Sequence, residues 1–205
     1  RSSKEHASAL DDELAGRLHR ADRLDPAAAR GLVRGIEAAD GRLDHLVHAV
    51  GEYVSGPLHA SCPEDLRRMF ASNVETAFHV FDAARPLLRA ARGDAVFFGC
   101  AGLDTLRARR ATALYTAAKS ALFVLVRSWA LEEAAHGVRV NLVSPGVVPH
   151  AHAAADTLDE GRIAGIPLGR AGTPEDVASA VEFLASPRAA HVTGVDLAVA
   201  GGWLL

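Results

Sequence analysis

Tyr115 and Lys119 stand four residues apart within residues 111–135, an apolar-rich stretch whose pattern predicts a long helix. That spacing puts both side chains on one helix face. A phenol titrates near ~10, and a neighbouring ammonium favours its ionised form. At the edge of a nucleotide cleft such a pair can act as a general acid near neutral pH. On spacing alone, an ordinary tyrosine beside a solvated lysine is the commoner meaning. Other reactive side chains are scattered. Cys62 and Cys100 have no metal-ligand spacing, and His136, His150 and His152 are irregularly placed, so they read as solvent-exposed histidines and no metal site is expected.

The elements that must position this pair can be read from the 205 residues, of which 49% are hydrophobic and 23% charged. That balance excludes a disordered, collagen-like or coiled-coil chain. The formal net charge of −3 gives no support for binding nucleic acid or an anionic membrane. No apolar run reaches the ~18 residues of a membrane span, and the polar start Arg1-Ser2-Ser3-Lys4 is not a signal peptide. Two cysteines cannot staple a domain this size, so reduced thiols and a cytoplasmic location are expected.

Residues 4–19 and 26–39 predict amphipathic helices, the second opened by Asp25-Pro26. A buried strand is expected within 43–51. A long helix over 63–91 follows, with Pro86 as a possible break. Strands over 95–98, 138–143 and 192–199 alternate with helices over 111–135 and from Thr173 to about Ser186; 147–166 reads as a mobile loop with a short helix. Such alternation predicts one α/β domain over 1–205, a parallel sheet with helices on both faces. Ligands of such sheets lie beyond the carboxyl ends of the strands, which directs attention to Gly51, Gly99–Gly102 and Pro145-Gly146.

Several segments in fixed order resemble the short-chain dehydrogenase/reductase family. Ala113-Leu114-Tyr115-Thr116-Ala117-Ala118-Lys119 is similar to its Tyr-x-x-x-Lys helix. Ser72-Asn73-Val74 sits where the family carries a catalytic Asn. Val138–Gly146 resembles its nicotinamide-side strand and Pro-Gly turn, and Ile166–Ala178 with Thr193-Gly194 and Gly201-Gly202 resembles its C-terminal third. The resemblance covers nearly the whole chain. It is similar to 3-oxoacyl-carrier-protein reductase-like and pteridine reductase-like members.

The resemblance implies a Rossmann-like, doubly wound, three-layer α/β/α fold. It implies hydride transfer between NADP(H), or NAD, and a carbonyl or imine, with a small-molecule carbonyl, acyl-thioester or pteridine-type substrate. Tyr115 would protonate the developing alkoxide. Lys119 would hold the nicotinamide ribose and lower the Tyr115 pKa, and Asn73 would order a water beyond Lys119. Gly51, Pro145, Gly146 and Val148 would flank the cofactor. Arg1 and Ser2 would meet a 2′-phosphate, and Asp22 the adenine.

The sequence departs from the family in four places. It has no Gly-rich phosphate turn, so the first strand, first helix and most of the second strand are expected to be missing from it. Val47-His48-Ala49-Val50-Gly51 replaces the usual Asn-Asn-Ala-Gly turn, and His48 is expected to pack rather than react. Gly99 stands where the family places a catalytic serine, and a thiol at Cys100 is a poor substitute donor. His150 stands near a position usually held by threonine. Arg107, Arg109 and Arg110 read as a solvated basic loop. A homo-oligomer, dimer or tetramer, is expected through helices 63–91 and 111–135. The alternative reading is a non-catalytic member of the fold unable to hold a dinucleotide.

Overall fold

The structure, a computed structural model, describes residues 24–105, 107–149 and 160–204. Arg1, Ser2 and Asp22, the predicted helix over 4–19, and His150 and His152 lie outside the described residues. Ten elements follow in order: α1 (Pro26–Asp40), β1 (His45–His48), α2 (Pro63–Phe70), α3 (Thr76–Ala91), β2 (Asp94–Phe98), α4 (Ala113–Glu133), β3 (Arg139–Pro145), α5 (Glu160–Ala164), α6 (Pro174–Ala185) and β4 (Asp196–Val199).

The helix ends follow local chemistry. Asp25 accepts from the Ala27 amide at 2.8 Å with Pro26 in the first turn, and α1 ends at Gly41 in the left-handed region. At α6, Thr173 and Asp176 cap each other reciprocally, and Arg170 holds Asp176 at 2.6 Å. The Arg170 guanidinium, with the Thr173 amide, pulls the Asp176 carboxyl down to about 2.

The four strands are parallel in the order β1-β2-β3-β4, with His48 beside Phe97, Phe97 beside Leu142, and Leu142 beside Asp196. Alternation along each strand then feeds two cores. On one face Phe97, Val140 and Leu142 pack with Phe81, Leu88, Leu122, Val126 and Trp129 from α3 and α4. On the other, Val96 and Val143 meet Val177 and Leu184 of α6. Both faces are covered, as the sequence led us to expect.

The site helix α4 is seated by rings and charge. Trp129 stacks on Phe81 at 4.6 Å and Phe97 at 5.3 Å between ring centres. Near its end the fully buried Glu133 takes two bonds from Arg89 of α3, at 2.6 and 2.8 Å. Those bonds hold the Glu133 carboxyl below its usual range.

The helix expected over 63–91 differs in one respect. It is not broken at Pro86, which lies inside α3. The irregularity is a π-turn, Ala71–Glu75, between α2 and α3.

Candidate active site

The carboxyl ends of β1, β2 and β3 converge with the first turns of α4. Lys119 is 4% exposed and donates to the Phe98 carbonyl at the end of β2, at 2.8 Å. Its Nζ lies 5.6 Å from the Tyr115 ring centre. The π-turn puts Asn73 opposite. Asn73 is 0% exposed, and its Nδ2 donates to the carbonyls of Glu52 and Met69, both at 3.0 Å. Its Oδ1 is buried with no partner.

Gly51 is the reason these groups can approach. A Cβ at Gly51 would stand 2.3 Å from Asn73 Oδ1 and 3.4 Å from Lys119 Nζ. The backbone conformation does not demand glycine there; the close approach does. Pro145 ends β3, and the Gly146 amide donates to the Val199 carbonyl at 3.0 Å. Val148 packs against the α6 side of the core. The structure therefore brings together Tyr115, Lys119, Asn73 and Gly51, with the Pro145-Gly146 turn at the end of the next strand but one from β1.

Burial dominates the electrostatics. With no carboxylate beside it, the Lys119 ammonium is pulled down to about 8. Tyr115 runs against the sequence expectation: its phenol is pushed up, not down, by burial first and then by Cys100 and Tyr53. The phenol therefore carries its proton at neutral pH, although burial makes it a weaker acid. His48 is buried beside Phe97, ring centres 5.8 Å apart, and burial with the Lys119 charge pulls it down to about 4, so it is neutral at pH 7. This fits the packing role expected of it. Burial pushes the Cys100 thiol up to about 11.

Three features escaped sequence reasoning. Tyr53 lies edge-on to Tyr115, with ring centres 5.0 Å apart, and forms an outer wall of the site. An aromatic just past the Gly51 turn, in a chain only 5% aromatic, was the available signal. Arg109 is not solvated: it folds back on the carbonyls of Ala101 and Gly102, at 3.2 and 2.9 Å, and ties the turn after β2. The third is the surroundings of Gly99, taken up below.

The nicotinamide-ribose end of a dinucleotide fits the groups described. Lys119 spends one of three donor protons on Phe98, and Asn73 Oδ1 is an unused acceptor.

A parallel sheet with these groups at its carboxyl ends is the mark of a nucleotide-dependent oxidoreductase fold. A family model described as enoyl-(acyl carrier protein) reductase matches residues 1–204. An inactive 2-(S)-hydroxypropyl-CoM dehydrogenase of Xanthobacter autotrophicus is 40% identical over 192 residues, 89% of this chain and 82% of its own. A tropinone reductase homolog of Arabidopsis thaliana is 36% identical over 166 residues, 79% of this chain; the match spans only 62% of that relative's length. A blue fluorescent protein from a metagenomic library, solved in complex with NADPH, superposes with a TM-score of 0.86 at 33% identity, covering 99% of this chain and 84% of its own. The chain belongs to the short-chain dehydrogenase/reductase family, the enoyl-reductase-like branch of NAD(P)-dependent oxidoreductases.

Proposed function

We propose that the chain is an NADP(H)-dependent reductase of a carbonyl or imine, with Tyr115 as the proton donor, Lys119 holding the ribose side of the cofactor and Asn73 ordering a water beyond Lys119. The observation that carries this is the convergence of Tyr115, Lys119 and Asn73 around Gly51 and the Phe98 carbonyl. A bound nicotinamide supplies the hydride. Tyr115 Oη gives its proton to the substrate oxygen as that oxygen gains charge, and the raised phenol pKa keeps that proton in place at neutral pH. Lys119, with two spare donors, orients ribose hydroxyls and stands ready to return a proton to Tyr115 through them. Asn73 Oδ1 orders a water that joins Lys119 to solvent. Gly51, Pro145, Gly146 and Val148 flank the nicotinamide, while Arg1, Ser2 and Asp22 serve its adenosine half. Substrates of the carbonyl, acyl-thioester and pteridine types all suit this chemistry.

Titration with NADPH, followed by its fluorescence, tests the reading. It should be run on this chain and on one extended at its amino end by the Gly-rich phosphate-binding segment of a family member. Binding by the longer chain alone supports the reductase with its phosphate-binding part added. Failure of both favours the second reading, a non-catalytic member of the fold. That reading draws on Gly99, which brings no hydroxyl to the site, and on the relative named inactive.

The same reading includes a homo-oligomer. Val124 and Leu131 on α4 are 61% and 82% exposed, and Phe78 on α3 and Leu66 on α2 are also exposed. A second copy would cover these faces in a dimer or tetramer. Light scattering that gives a monomer at micromolar concentration refutes it. Neither Cys62 nor Cys100 is bridged, which suits a reducing cytoplasm.

A further inference from the structure

Gly99 follows β2, and its amide donates to the Val143 carbonyl of β3 at 2.9 Å. A Cβ built on Gly99 would stand 2.3 Å from Ser144 Oγ, with Leu103 and Leu142 at 3.0 and 3.2 Å. The slot that a side chain at 99 would use is therefore already filled from the neighbouring strand, and filled by a hydroxyl. Ser144 is 0% exposed, and its Oγ has no hydrogen-bond partner. Asp196 of β4 faces the same region: burial raises its carboxyl pKa and the nearby Ser144 hydroxyl lowers it, yet no bond of ordinary geometry joins the two and Asp196 Oδ1 is buried and unpartnered. A buried, unbonded hydroxyl is destabilising, and packing alone would avoid it with alanine.

The place matters as much as the orphaned atom. Residue 99 is next in the chain to Phe98, whose carbonyl anchors Lys119. The geometry points to Ser144 as the hydroxyl donor to the substrate oxygen, reaching from β3 into the slot left by Gly99. This rests on the reductase reading and adds a catalytic residue to it. Tyr115 transfers its proton to the substrate oxygen, and Ser144 Oγ–H donates a hydrogen bond to the same oxygen and keeps its proton. Ser144 has no contact with solvent, so its hydroxyl can turn only to Asp196 or to a group entering beside Gly99. Asp196 is the competing acceptor when none has entered.

Three variants test this in the chain that binds NADPH: Ser144→Ala, Gly99→Ser, and the two together. Carbonyl reduction, NADPH affinity and thermal midpoint are measured for each. Loss of one preorganised donor predicts a fall in kcat of about 10²-fold for Ser144→Ala, with NADPH affinity and thermal midpoint held. Gly99→Ser alone should lower the thermal midpoint, because its side chain meets Ser144 Oγ; adding Ser144→Ala should remove that loss and restore kcat. An unchanged kcat in Ser144→Ala overturns the inference and leaves the reductase reading standing. So does an inactive parent whose double variant turns over. Absence of turnover in every chain overturns both. A thermal midpoint in Gly99→Ser that Ser144→Ala does not rescue refutes the shared slot without reference to activity.

Discussion

The two ends of the sheet treat buried polar groups in opposite ways. At the amino ends of the strands, buried Asp94 receives His45 at 2.8 Å and Arg139 at 3.1 Å. Beside it on the helical layer, Glu133 is held by Arg89. Each buried carboxylate there meets an opposite charge. At the carboxyl ends, Lys119 meets only a backbone carbonyl, and Asn73 Oδ1, His48 Nε2 and Ser144 Oγ have no partner. The first end pairs its buried charges within the chain and, of the groups named, leaves only Asp94 Oδ1 without a partner. The second holds donors and acceptors that a ligand completes, at a cost in stability. The difference marks the functional end of the sheet without reference to any motif.

The contrast can be broken at several points. Tyr115→Phe should lower kcat by about 10³-fold while leaving NADPH affinity within a few-fold, since it removes the proton and little else; steady-state kinetics and the fluorescence titration together check this. Glu133→Gln should cost about 3 kcal/mol in urea unfolding, because Arg89 keeps its charge and loses its counter-charge. The Glu133 contribution depends on pH. Its carboxyl is held below the ordinary 4.5, so its stabilisation is full above that value and is lost as pH falls through the lowered one.

Lys119→Met should act in the other direction. Lys119 titrates at about 8 in the fold and at 10.5 ordinarily, so burial penalises its charged form below pH 8. The variant should gain about 1–3 kcal/mol at pH 7, after the lost bond to Phe98 is counted, and the gain should shrink between pH 8 and 10.5. A loss of stability at pH 7 would show that the ammonium is better solvated than its burial indicates. The smallest effect is expected from Gly51→Ala, about 1–2 kcal/mol, as Asn73 gives way to the new methyl. Its NADPH affinity should fall more than its stability, and equal loss of both would place Gly51 in packing alone.

Much of this was legible in the sequence, for identifiable reasons. The alternation of apolar runs with amphipathic stretches encodes the parallel sheet, and the Tyr115–Lys119 spacing survives because α4 is regular through both residues. The π-turn was not legible. It changes the helical repeat over five residues without a proline or glycine to announce it, though Ser72-Asn73, a polar pair turned inward, is its one sequence trace. Pro86 drew attention instead, and α3 absorbs it. Arg109 looked solvated because nothing local shows that Ala101 and Gly102 turn their carbonyls toward it. The Gly99–Ser144 slot depends on the pairing of β2 with β3, residues 45 positions apart, and no local pattern contains it. The raised phenol of Tyr115 depends on the total burial of the site, to which Tyr53 contributes from another loop.

Trp129 lies on the same helix as Tyr115 and Lys119, pressed between Phe81 and Phe97 and nearly sealed from water. An indole so enclosed emits toward the blue, and any loosening of α4 would shift that light to the red. Reduced nicotinamide absorbs where tryptophan emits. In a Trp203→Phe variant, Trp129 becomes an optical gauge: one wavelength reports the seating of the helix, and quenching at that wavelength reports the arrival of the cofactor at its far end.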